Sequence, residues 1–172
     1  HLEAVQAYRR AGDDFARALQ SAPDYPPALL DRSLLLLHQA ERLARLGRFP
    51  DAALELESAT SDCDALLAEL PEDAAALLTR ARAHAQRSEM MRQLKDSKVD
   101  AEAEAAAADF AAASRAEPGS PDVHYHRGLF EAVRGRRNEA AAALQEALRR
   151  APSEWRWRQQ CTQRLDAITR GA

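Results

Sequence analysis

The stretch AAADFAAASRAEP, residues 106–118, sets a pattern that recurs along the chain. Counting back from Pro118, an alanine stands twelve residues earlier, a larger apolar residue eight earlier and an alanine five earlier. Three further stretches end in a proline with nearly the same arrangement: AGDDFARALQSAP (11–23), ATSDCDALLAELP (59–71) and AAAALQEALRRAP (140–152). Because proline has no backbone N–H to donate, the recurrence predicts four equivalent helices, each ended by its proline.

A second register follows the first three of these prolines. An arginine stands nine residues after each of these prolines and a small residue stands ten residues after it. The resulting pairs are Arg32-Ser33, Arg80-Ala81 and Arg127-Gly128. Small residues allow two helices to approach closely, so we expect each of these small residues to mark a close contact between helices.

The spacing between the prolines predicts the hairpin lengths. Pro118 and Pro152 are 34 residues apart, whereas Pro23 and Pro71 are 48 apart. Gly47 lies halfway, 24 residues from either proline, as expected for the turn between two arms of equal length. Each arm of the longer hairpin has therefore gained about two helical turns, roughly 10 Å.

Composition independently favours an all-α protein. The chain has 39 alanines and 22 leucines, but valine, isoleucine and threonine total nine residues, too few for a sheet of ordinary size. The formal net charge is −3, which divides into −7 over residues 1–118 and +4 over residues 119–172. This balance gives the whole chain no general attraction to nucleic acid or to anionic membranes.

The alanine, apolar residue, alanine and proline markers resemble the second helix of the tetratricopeptide repeat (TPR). The resemblance implies an all-α, right-handed α-solenoid of about eight helices with a C-terminal capping helix. It divides a single array, residues 1–172, into a truncated repeat (1–23), two elongated repeats (24–71 and 72–118), a repeat of normal length (119–152) and a cap (153–172). We expect the cap to begin at Ser153, a residue type that caps helices, and the chain to be cut from a longer protein.

The elongated repeats resemble the TPR arrays attached to bacterial serine/threonine protein kinases. This implies a non-catalytic protein-interaction scaffold or regulatory module within a larger bacterial signalling protein. In TPR arrays the first arms line a concave groove that binds a peptide, a partner protein or another segment of the parent protein. Carried over to this chain, the groove residues are Asp31, Leu34, His38, Thr79, Arg82, Gln86, Tyr125, His126 and Leu129.

The recurrent arginines, Arg32, Arg80 and Arg127, have two interpretations. They could form a ladder that binds a carboxylate or phosphate, because guanidinium groups bind such anions well. They could instead form internal ion pairs with nearby acidic residues, among them Asp24, Asp31, Asp73 and Asp122. We favour the structural role, since a residue repeated in a repeat protein usually serves the repeat.

Motifs of catalysis are absent from the sequence, and we expect no enzyme activity, no cofactor and no metal site. Cys63 takes the marker position of Phe15 and Phe110, and Cys161 lies on the apolar face of the last helix, so both are expected to be inert core thiols. With two cysteines, no signal peptide and no apolar membrane span, a reduced cytoplasmic protein is expected.

Two alternative functions stay open. The first helix lacks a first arm and leaves an apolar face with Val5, Tyr8, Phe15 and Leu19, which could form a homodimer. The basic C-terminal end could bind nucleic acid by stacking bases on Trp155 and Trp157, although the acidic net charge makes this the weaker alternative. Its arginines are Arg134, Arg136, Arg137, Arg149, Arg150, Arg156 and Arg158.

Overall fold

A computed structural model describes the backbone of residues 2–170 and the side chains of residue 7 and residues 10–170. This part of the chain contains eight α-helices and no strand. They are α1 (Leu2–Ser21), α2 (Pro26–Arg45), α3 (Phe49–Glu69), α4 (Ala74–Leu94), α5 (Val99–Ala116), α6 (Pro121–Val133), α7 (Arg137–Arg150) and α8 (Arg158–Arg170). None of these helices is both long and apolar enough to span a bilayer.

The helix ends follow the local sequence. Proline stands in the first turn of α2 (Pro26), α3 (Pro50) and α6 (Pro121), where its missing N–H costs nothing. Gly47 and Gly135 turn the chain after α2 and α6 with φ angles of +72° and +75°, a conformation that glycine adopts without steric penalty. In these hairpins, prolines therefore mark where helices begin and glycines mark the turns between the two arms.

The chain forms two compact units, His1–Asp109 and Phe110–Ala172, with the division inside α5. In the first unit, α2 packs against α3 and α4, while α3 packs against α4 and α1 packs against α2. The marker residues of α3 are buried, and the longer arms add a second apolar cluster near the hairpin ends. The buried members of this cluster are Leu37, Ala40, Ala52, Leu56, Ala83 and Met90.

In the second unit, α6 packs against α7 and α7 against α8. The close approach of α6 and α7 depends on Gly128, because a Cβ at this position would lie 2.8 Å from the Leu144 side chain. Phe110 and Phe130 also pack together, with ring centroids 5.3 Å apart. Gly128, the small residue of the third arginine-small pair, therefore has the close-contact role expected of it.

One expected helix boundary is wrong. The last helix begins at Arg158, not at Ser153, and the residues between them form turns in which the Trp155 amide donates to the Pro152 carbonyl at 3.1 Å. Ser153 therefore caps no helix, although α8 packs as a terminal helix should, with Cys161 buried against α7. The division of the chain into a single array of numbered repeats stays a prediction.

Candidate partner-binding surface

Side chains from the first arms α2 and α4 meet at the carboxylate of Glu41. Glu41 Oε1 accepts hydrogen bonds from Arg82 Nη2 at 3.2 Å and from Gln86 Nε2 at 3.0 Å. Arg45 Nη2, one turn further along α2, lies 3.8 Å from the other oxygen of Glu41. The sequence predicted Arg82 and Gln86 as surface residues but missed Glu41, which holds the two in place.

Other apolar and polar side chains lie further along the same pair of helices. Leu34 on α2 is half-buried, as are Leu30 and Leu78, while Asp31 and His38 are exposed. We call the surface of Asp31, Leu34, His38, Glu41, Arg82 and Gln86 the α2–α4 strip. It offers apolar contact beside fixed charges, the mixture typical of protein-binding surfaces.

Thr79 is a correction to the expected groove. Its side chain is only 2% exposed, and its hydroxyl donates to the Ala75 carbonyl at 2.8 Å within α4. A threonine with this bond faces its own helix backbone. Thr79 is therefore not accessible to a partner.

Tyr125 is likewise not an open groove residue. Its side chain is 5% exposed because the ring of Trp157 stacks on it, with centroids 5.6 Å apart and planes inclined by 20°. Burial raises the pKa of the Tyr125 hydroxyl. His126 lies edge-on to both rings, and Leu129 packs against the same cluster. Tyr125 and His126 therefore contact the chain's own C-terminal segment, and Leu129 packs against the cluster that this segment joins.

Trp155 takes part in the same cluster. Its indole Nε1 donates to Asp122 Oδ1 at 2.9 Å, and its ring meets that of Tyr125 at 90°. Both tryptophans of the basic C-terminal end thus pack on α6. Nucleotide stacking on them would require the cluster to open, which argues against the nucleic-acid alternative.

Two of the three recurrent arginines form partly buried ion pairs. Arg32 Nε donates to Asp62 Oδ2 at 2.7 Å, and Arg32 Nη2 to the other oxygen at 2.5 Å. Arg80 makes the same fork with Asp109, at 2.8 and 2.7 Å, and its Nη1 also donates to Asp64 at 2.6 Å. The hydrogen bonds that the guanidinium groups donate to Asp62 and Asp109 are the main cause that raises the pKa of both arginines.

The partners of these arginines differ from the acidic residues expected from the sequence. Asp62 and Asp109 stand on second arms, nine residues before Pro71 and Pro118. The aspartates expected as partners do not form the forked pairs with Arg32 and Arg80; these are Asp24, Asp31, Asp73 and Asp122. The equivalent position before Pro152 is Ala143, and Arg127 is exposed. A search for carboxylates at recurring positions would have found this signal.

A further ionic cluster joins α4 to α5. His84 Nδ1 lies 2.7 Å from Glu102 Oε2, and Arg87 Nη2 lies 3.0 Å from the other Glu102 oxygen. The three side chains are partly buried. The cluster resembles the arginine pairs in tying a first arm to a second arm.

The groups that could support catalysis are arranged for structure. Cys63 and Cys161 are buried, unpaired thiols, and burial is the main cause that raises the pKa of each to about 11. A reactive cysteine needs a lowered pKa and access to solvent. Among the residues that the structure describes, no three histidine, cysteine or carboxylate side chains converge as a metal site.

Comparison with known proteins identifies the fold. The structure superposes with a TM-score of 0.70 on the crystal structure of a thermophilic TPR protein from Thermus thermophilus, at 24% sequence identity. The match covers 99% of this chain and 77% of the other. No protein-family model matches the sequence, and no curated protein matches it. The predicted all-α TPR fold is confirmed.

Proposed function

We propose that this chain is a non-catalytic protein-interaction scaffold whose partner, a peptide or a protein segment, binds along the α2–α4 strip. The observation that carries the proposal is the Glu41 network, which fixes polar groups of two consecutive first arms beside half-buried leucines. TPR folds generally act as protein-interaction scaffolds, and the fold of this chain agrees with that role.

The strip is suited to moderate affinity. Leu34 and its leucine neighbours supply apolar area, while Glu41 holds Arg82 and Gln86 so that little side-chain entropy is lost on binding. A flexible partner must still be ordered on the surface. We therefore expect a dissociation constant around 1 μM, about −8 kcal/mol.

The biological setting is proposed from the resemblance of the elongated repeats to kinase-attached arrays. It is a bacterial signalling protein, in the cytoplasm, in which this chain is a regulatory arm. The two reduced, buried cysteines are compatible with that compartment.

The binding surface can be tested with one pair of matched variants. Peptides selected from a displayed library against the 172-residue chain would be titrated by fluorescence anisotropy. Leu34→Asp should weaken binding at least tenfold, because it places a charge in the apolar part of the strip. Leu54→Asp makes the same change at an exposed leucine of α3 and should leave the affinity unchanged. Equal loss in both variants, or none in Leu34→Asp, would remove the strip from the proposal.

A further inference from the structure

The C-terminal ends of α2 and α4 and the start of α3 share one apolar cluster. Met90 of α4 is buried in this cluster together with Ala40 of α2 and Ala52 of α3, and Leu43 and Phe49 pack against it. The turns that follow α2 and α4 therefore lie at the same end of the first unit. We call residues 42–51 and 89–98 the elongated tip, because the added helical turns of the long hairpins lead into these two segments.

Two leucines extend the apolar cluster to the surface of the elongated tip. Leu46 stands three residues after Leu43. Leu94 likewise stands four residues after Met90, so each leucine follows a cluster member on the same helix face. Leu46 is 68% exposed and Leu94 is 60% exposed. Leucines exposed to this extent protrude from the protein and have no pocket around them.

The elongated tip is basic, although the rest of residues 1–118 is acidic. The tip carries six basic and three acidic side chains, whereas the other residues of this range carry eight and eighteen. Arg48 contacts Asp51 and Arg92 contacts Glu89, but exposed ion pairs of this kind are weak and leave the tip with a net charge of +3. The exposed cations of the tip include both lysines of the chain and are Arg45, Arg48, Arg92, Lys95 and Lys98.

Lys95 occupies a backbone position that favours glycine. Its φ angle is +57°, in the left-handed region. Gly47 holds the equivalent place, twenty-four residues after its proline, with a φ angle of +72°. Because a side chain makes this conformation less favourable, the geometry of the turn does not explain the lysine. Lys95 instead adds an exposed positive charge directly after Leu94.

We propose that the elongated tip binds the surface of an anionic membrane, with Leu46 and Leu94 inserted among the acyl chains. The lipid layer accepts a protruding leucine without a matching pocket, and clustered arginines and lysines attract anionic headgroups. The added turns, roughly 10 Å long, hold the tip about one Debye length beyond acidic residues further along the hairpins, which reduces their repulsion from the membrane. The attraction is local, since the net charge of −3 gives the whole chain none.

The small number of inserted side chains sets the expected strength. Two leucines and a few charges should give reversible binding with an association constant of about 10³–10⁴ M⁻¹, up to that of a single myristoyl chain. Binding should weaken as the salt concentration rises, because ions screen the attraction to the headgroups. The α2–α4 strip lies outside the tip, and its peptide binding can be measured without lipid, so the two proposals can fail separately.

Cosedimentation with vesicles of phosphatidylcholine and phosphatidylserine in equal parts tests the proposal on the 172-residue chain. Leu46→Ser combined with Leu94→Ser should weaken binding at least tenfold. Tyr25→Ser combined with Leu70→Ser is the matched control, because these exposed apolar residues lie at the opposite end of the α2–α3 hairpin, and it should leave binding unchanged.

Lys95→Gly separates membrane binding from folding. It removes one charge and should weaken vesicle binding at least threefold. It should also raise the urea midpoint of unfolding, because glycine suits the left-handed conformation, so misfolding cannot explain the lost binding. Arg115→Gln is the charge control, since Arg115 is exposed in the last turn of α5, outside the tip, and should leave binding unchanged.

Sedimentation without vesicles should accompany these measurements, because the homodimer expected through the apolar face of α1 stays a prediction. The side chains of Val5 and Tyr8 lie outside the described part of the chain, whereas Phe15 is half-buried and Leu19 is buried. Self-association of the chain would then be subtracted from the fraction that sediments with lipid.

Several results would overturn the proposal. Less than about one-tenth of the chain bound at about 1 mM lipid would do so, since the expected constant binds about half of it or more there. Equal binding to vesicles of phosphatidylcholine alone, or equal loss in the tip variants and their controls, would also contradict it. A tip that ignores vesicles but binds an acidic amphipathic peptide would assign this surface to a protein partner and exclude the membrane.

Discussion

The recurrent arginines allow a comparison within one chain between a residue that has a buried partner and one that does not. Arg80→Ala removes three hydrogen bonds and leaves Asp109, whose side chain is 10% exposed, without its cation. Breaking a buried ion pair by removing one partner costs roughly 3–5 kcal/mol. Because the Arg80 side chain is one-quarter exposed, we expect the lower end of this range, about 3 kcal/mol.

Arg127→Ala is the matched control. Arg127 holds the same place in its repeat, but it is exposed, and the position equivalent to Asp62 and Asp109 is Ala143, which has no carboxylate. Its loss should change the free energy of unfolding by less than about 0.5 kcal/mol. Urea unfolding followed by circular dichroism would measure both variants, and in thermal unfolding Arg80→Ala should lower the Tm by about 6–12 °C.

The comparison can refute the structural role directly. If Arg80→Ala and Arg127→Ala cost the same, the ion pairs do not explain why the arginine recurs. If Arg80→Ala costs nothing while Asp109→Ala is also harmless, the forked contact adds no stability. A double variant, Arg80→Ala with Asp109→Ala, should cost less than the sum of the two single variants, since the second change removes a charge that the first left unpaired.

Three further outcomes are expected. Gly128→Ala should destabilise the second unit by about 1–3 kcal/mol, because the new Cβ would lie 2.8 Å from the Leu144 side chain. Gly12→Ala should instead raise the free energy of unfolding in urea by up to about 1 kcal/mol, because its Cβ would lie 3.6 Å from the Leu35 side chain, an ordinary contact distance. Native Cys63 should resist maleimide labelling near neutral pH. Folding raises the pKa of the Cys63 thiol from 9.0 to about 11, because burial disfavours the thiolate. The neutral thiol therefore contributes fully to the free energy of unfolding below pH 9, and this contribution should be lost as the pH rises from 9 to 11. Urea unfolding at a series of pH values would measure the change. Trp155→Phe should cost about 1 kcal/mol, the usual worth of one hydrogen bond, with a loss of near-ultraviolet dichroism.

The fold was predictable because its determinants are local and repeated. Proline positions set where second arms end, and the markers between them, such as Cys63 and Leu144, are buried as their spacing predicts. The equal arms around Gly47 predicted elongated helices, and α2 and α3 are indeed 20 and 21 residues long. These features need only helical periodicity and the chemistry of proline and glycine.

The candidate site was less predictable because it depends on contacts between distant residues. Ser153 has the local chemistry of a cap, but the segment after it forms turns and α8 begins at Arg158. Trp155 and Trp157 of this segment pack on Tyr125, a contact that the sequence does not reveal. The same packing covers expected groove residues. Glu41 was missed because its importance comes from Arg82 and Gln86, more than forty positions away in sequence.

Hydrogen–deuterium exchange of the chain with a saturating selected peptide tests the claim that first arms form the binding surface. Backbone amides of α2 and α4 should gain protection on binding, with the largest change around Glu41 and Gln86, while α3 should exchange as it does in the free chain. Protection confined to α3, or spread evenly over α2, α3 and α4, would contradict it.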